Sequence, residues 1–74
     1  MSYKVSVIIE KDNNGYFAYS PELEGCHSQG ESFEEVVNNI KEAVELYIET
    51  MTEDEIKEVI SKEIMNTSIE VKVA

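Results

Sequence analysis

Tyr3-Lys4-Val5-Ser6-Val7-Ile8-Ile9-Glu10 is followed by Lys11-Asp12-Asn13-Asn14-Gly15 and then by Tyr16-Phe17-Ala18-Tyr19-Ser20. The first run alternates. Tyr3, Val5, Val7 and Ile9 share one face, and Lys4, Ser6, Ile8 and Glu10 share the other. Period two with β-branched residues predicts a strand over residues 3–9 with one buried face. Asp12-Asn13-Asn14-Gly15 predicts a turn, because Asn and Gly tolerate positive φ. The chain then returns, giving a hairpin with a loop of about three to five residues. In the return strand Tyr16 and Ala18 point one way and Phe17 and Tyr19 the other, so both faces carry aromatic rings.

Working outward, Pro21 has no N–H for a ladder and ends the second strand or sits at its edge. Gly25 permits a reversal, Cys26-His27-Ser28-Gln29 reads as a short third strand, and Gly30 ends it. Ser32 with Glu35 forms a capping-box pattern. Phe33, Val36, Val37, Ile40, Ala43, Val44, Tyr47, Ile48 and Met51 then recur at helical spacing, an apolar stripe over several turns. Leu46 lies off that stripe. Thr52 and Glu55 repeat the box, and Ile56, Val59, Ile60 and Ile64 predict a second helix of about three turns. Ile69, Val71 and Val73 alternate with Glu70 and Lys72, predicting a final strand. The order is β-β-β-α-α-β, an α+β fold: one mixed sheet with helices on one face. After a helical crossover the last strand is expected parallel to, and beside, the first.

At 74 residues the chain has room for one domain, residues 1–74, with a thin core. A lone cysteine, Cys26, excludes an intrachain disulfide scaffold. The N-terminus lacks the basic and apolar regions of a signal peptide, and no run reaches the roughly 18 apolar residues of a membrane span. A cytoplasmic location, without membrane contact, is the expectation. Sixteen acidic against six basic residues give a formal net charge of −10. Residues 31–63 hold 11 of the acids and three of the bases. Such a chain should be repelled by nucleic acid, which requires a basic footprint. It is suited either to solubility alone or to a basic protein partner.

No catalytic constellation is legible. Cys26 and His27 are adjacent, so on a strand their side chains diverge, and neither a shared metal nor a Cys–His nucleophile is expected. Neighbouring helix carboxylates such as Glu34 and Glu35 point about 100° apart. There is no phosphate-binding glycine loop. The expectation is a non-enzymatic protein without metal or cofactor. Tyr16, Phe17 and Tyr19, with His27 nearby, are the candidate self-association residues for a homodimer or homotetramer. Their apolar bodies with polar tips suit an interface.

Taken in order, Gly15-Tyr16-Phe17-Ala18, Pro21-Glu22-Leu23-Glu24-Gly25-Cys26, Gln29-Gly30-Glu31-Ser32 and Glu35 opening an amphipathic helix resemble the HicB family of antitoxins. The similarity covers roughly residues 3–50, and it rests on the order and spacing of the pieces rather than on any one of them. It marks Gly15, Tyr16, Pro21, Leu23, Gly25, Cys26, Gly30, Ser32 and Glu35 as motif positions. Val36 departs from the family, which often has alanine there. The resemblance implies a partly degraded ribonuclease-H-like fold without the nuclease's metal-binding carboxylates. It also implies a partner: a small basic toxin that cleaves messenger RNA, whose catalytic histidine the antitoxin covers. Glu42, Glu45 and Glu49 are the candidate partner-facing acids. Many members carry a C-terminal DNA-binding domain. Nothing after the final strand here reads as one, so direct DNA binding is not expected. The alternative reading is a self-associating structural or regulatory domain with no toxin partner.

Overall fold

The structure, a computed structural model, describes residues 2–74. Three strands, β1 (Ile8–Asp12), β2 (Gly15–Tyr19) and β3 (His27–Gly30), precede two helices, α1 (Phe33–Glu49) and α2 (Glu53–Val59). The sheet is antiparallel throughout, in the order β1-β2-β3. The α+β arrangement follows the sequence reading. Strands come first, and α1 then lies over one face.

The hairpin closes through Asn13 and Asn14, with Asp12 paired to Gly15. The Asn14 N–H donates to the Asp12 carboxylate at 2.8 Å, the local bond that makes Asp a turn former. Only Gly15 takes positive φ here, 121°. Both Asn residues keep negative φ.

Pairing begins at Ile8, where Ile8 faces Tyr19, rather than at Tyr3 as the alternation predicts. The cause lies across the sheet. Pro21 follows β2 closely and removes the ladder donor that residues 3–7 would need. Glu22 anchors the segment in another way, its carboxylate Oε1 accepting the Ser6 N–H at 2.7 Å. Glu22 is buried, and this bond holds the N-terminal segment against the sheet without a β ladder.

α1 carries the core. Val36, Ile40 and Val44 are buried against Ala18, Leu23 and Cys26, with Ile9, Tyr16 and Val5 packed around them. The helix starts where Ser32 Oγ accepts the Glu35 N–H at 3.0 Å. Of the two capping boxes read in the sequence, α2 has both bonds. Among the described residues α1 has only the Ser32 half.

Two elements depart from expectation. α2 ends at Val59 with Ile60 as its cap, leaving Ile64 outside. Ser61 terminates it: its hydroxyl donates to the Glu58 carbonyl at 2.7 Å and satisfies a group the next turn would have used. The final strand does not form. Residues 61–74 contain neither helix nor strand, so the sheet is not mixed. Ile69, Val71 and Val73 are 80%, 69% and 91% exposed. The alternation of these residues is that of a strand, but among the described residues none pairs with them.

Candidate interaction surfaces

Four of the family-motif positions lie in the core or at tight points of the backbone. Leu23 and Cys26 are core residues. Gly25 sits at φ 80° and lets the loop after Pro21 reverse. Backbone bonds lock that loop: Ser20 N–H to the Cys26 carbonyl at 3.0 Å, and Cys26 N–H to the Leu23 carbonyl at 3.0 Å. The Tyr47 hydroxyl pins it to α1 by donating to the Glu24 carbonyl at 2.9 Å. Gly30 serves close packing instead of a special φ. A Cβ there would lie 2.7 Å from the Val36 nitrogen, so only glycine allows α1 to start this close to β3. Burial pushes the Cys26 thiol above its ordinary pKa, so it is held protonated and poorly nucleophilic. Among the described residues no group of three or more His, Cys, Asp or Glu is placed to hold a metal ion.

Three surfaces remain. The first is the sheet face turned away from α1. Cross-strand partners share a face, so the pairs Tyr19–His27, Phe17–Gln29 and Ile8–Tyr19 put three rings together. Phe17 stacks on His27 with centroids 5.6 Å apart and meets Tyr19 at 6.0 Å. Phe17 is 40% exposed. Tyr16 does not belong to this cluster. It lies on the helix side, edge-on to Phe33 at 6.5 Å, with Lys11 Nζ 5.6 Å from its ring centre. Three of the four candidate self-association residues therefore come together, and the fourth supports the core.

The second surface is the outer side of α1. Glu42, Glu45 and Glu49 are all exposed. Their spacing of three and four residues aligns them on one face, roughly opposite the buried Val36, Ile40 and Val44. Leu46, 62% exposed, lies beside them.

The third surface has no counterpart in the sequence reading. α1 packs over β2 and β3 and leaves the inner side of the N-terminal segment uncovered. The result is an open apolar groove of about 510 Å³. Tyr3, Val5, Val7 and Ile9 line one wall, the face the alternation assigned to the core. Val37, Ile40, Val44 and Ile48 line the other, with Lys41 and Glu45 among its polar lining. The buried Glu22 also escaped the sequence reading.

These features define a small acidic α+β protein. A family model described as HicB-like antitoxin of bacterial toxin-antitoxin systems matches residues 3–72. A UPF0150 protein of Helicobacter pylori is 47% identical over 70 residues, covering 95% of this chain and 97% of its own length. A UPF0150 protein of Synechocystis is 54% identical over 50 residues, covering 66% of this chain and 63% of its own. An uncharacterised 14.9 kDa protein of Haemophilus phage HP1 is 43% identical over 49 residues, and that match covers 37% of the phage protein. The chain belongs to the HicB-like antitoxin family. That membership supports an antitoxin role and a non-enzymatic mode of action, and it implies a toxin partner in general terms. No helix among the described residues is long and apolar enough to cross a membrane.

Proposed function

We propose that this protein is an antitoxin that binds and neutralises a small basic ribonuclease toxin cleaving messenger RNA, and that it does so in the cytoplasm. The observation that carries this reading is the concentration of acid in the helical half, on a chain of the antitoxin family. A basic ribonuclease needs cationic groups to hold RNA phosphates. An acidic helix face competes for those same groups. Glu42, Glu45 and Glu49 form the steering face, and the exposed Leu46 beside them supplies apolar contact. Charge complementarity of this kind acts mainly on the association rate.

The test is association kinetics with the toxin at low salt. Reversing Glu42, Glu45 and Glu49 to lysine should slow association strongly and change dissociation less. Raising salt should slow the natural protein toward the variant's rate. Unchanged association in the triple variant would remove this face from the mechanism.

A second reading, self-association through the open sheet face, is favoured by the Phe17, Tyr19 and His27 ring cluster. Both can operate in one molecule, because the rings lie on the sheet face away from α1.

A further inference from the structure

We infer that the C-terminal segment of one copy, residues 69–73, adds as a strand to the open edge of a second copy along residues 3–7 and fills the apolar groove there. This stands independently of the toxin proposal.

Both halves of the contact lie unpartnered in the single chain. The Ser6 N–H is turned inward, toward Glu22. Successive residues of an extended chain direct their backbone groups to opposite sides. Tyr3, Val5 and Val7 therefore direct theirs to the outer edge, where no strand lies among the described residues. An unpaired edge is a template for another strand. The groove beneath it is apolar and lined by Val5, Val7 and Val44. At the other end of the chain, Ile69, Val71 and Val73 alternate with Glu70 and Lys72 and are almost fully exposed. Three adjacent aliphatic side chains left in water are what a strand with one face to bury presents.

Charge selects the direction. With Val5 opposite Val71, a parallel strand also pairs Tyr3 with Ile69 and Val7 with Val73. On the outer face it places Lys4 opposite Glu70. The antiparallel arrangement about the same central pair places Lys4 opposite Lys72, and like charges directly opposed are unfavourable. The parallel register is therefore favoured, with every aliphatic residue of the tail over the groove.

The shape of the chain favours a second copy over its own groove. The Cα radius of gyration is 14.5 Å and the longest extent 49 Å. A compact chain of this length would have a radius of about 11 Å. The tail projects outward instead of returning over β1, and mutual exchange between two copies closes both grooves with two-fold symmetry.

Cysteine cross-linking decides it. Val5→Cys with Val71→Cys, in a Cys26→Ser background and under mild oxidation, places the two thiols at directly opposed positions in either direction. A band at twice the chain mass on a non-reducing gel is expected. A cross-linked band at the single-chain mass would show the tail in its own groove and overturn the exchange. Absence of any cross-link in protein that retains its circular dichroism would overturn it equally. Val7→Cys with Val73→Cys should link as efficiently if the strand is parallel, and Val7→Cys with Ile69→Cys should not. As a check without cysteines, Val71→Asp lies on an exposed segment outside the core, so the fold should persist. Dimerisation by sedimentation should weaken by about tenfold or more.

Discussion

Glycines at positions 25 and 30 look interchangeable in the sequence, and the structure separates them. At Gly25 a Cβ would meet nothing within 4 Å, so the constraint is purely the φ of 80°. Gly25→Ala should cost about 1–2 kcal/mol in a urea melt, the penalty of a left-handed L-residue, and Gly25→Asn should cost less. At Gly30 the obstacle is the α1 backbone at 2.7 Å, which cannot rotate aside. Gly30→Ala should cost about 1–3 kcal/mol through overpacking, and asparagine there should be worse than alanine. Opposite rankings of Asn and Ala at the two positions would check the distinction, and identical rankings would refute it. The motif spacing picked out both glycines. What each one does depended on where α1 begins relative to β3, which no local pattern encodes. Cys26 and His27 were more legible. Adjacent strand residues must diverge, and one is buried in the core while the other is exposed against Phe17.

The two helices differ in how their starts are held, and this gives separate expectations. Ser32→Ala removes the bond to the Glu35 N–H and should destabilise the fold by about 1 kcal/mol. α1 carries Val36, Ile40 and Val44, so the loss should show in the global melt. α2 buries Ile56 and is held at its start by the reciprocal Thr52–Glu55 box. The Thr52 backbone N–H, and then its hydroxyl, hold the Glu55 carboxyl below its ordinary pKa of 4.5. A lowered folded-state pKa contributes stability that is complete above the unfolded value and lost as pH falls through the folded one. Amide chemical shifts of residues 53–59 should therefore report fraying of α2 on acidification below the ordinary Glu range, and Glu55→Gln should remove much of that dependence. A pH profile unchanged by Glu55→Gln would contradict the assignment. At this scale the sequence was readable wherever the signal was local: the turn at Asp12 to Gly15, the Ser32 and Thr52 caps, the α1 stripe. It failed where the partner was remote. The alternation of residues 3–9 is real, but Pro21 sits across from its first half and takes the ladder away. The alternation of residues 69–73 is equally real, yet a strand needs a neighbour, and periodicity does not say which chain supplies it.

Across the whole molecule, a formal charge of −10 on 74 residues sets the conditions for every association. Two copies repel one another, so self-association through the apolar groove or the ring cluster should tighten as salt is raised and screening shortens the reach of the repulsion. Binding to a basic partner should respond in the opposite sense, with slower association at higher salt. Sedimentation of the free protein and kinetics of the complex across one salt series should show these opposed trends, and parallel trends would mean that one of the two contacts has been assigned to the wrong chemistry. The surfaces themselves were only partly legible beforehand. Strand periodicity put Phe17 and Tyr19 on one face and helix spacing aligned the acids of α1, but the expected cluster included Tyr16, which lies against Phe33 on the helix side. The groove was not legible, because it exists only through the offset of α1 toward β3. Silencing of a basic ribonuclease by the acidic half of this fold is the proposal most open to direct test. The direct measurement is cleavage of a messenger RNA by the toxin purified away from this protein, before and after the protein is added back. Cleavage should be present in the separated toxin and abolished at about one equivalent of the natural protein, the stoichiometry of a tight one-to-one block. The Glu42, Glu45 and Glu49 triple reversal should need a large excess. Cleavage that continues undiminished in the presence of saturating natural protein would contradict the account.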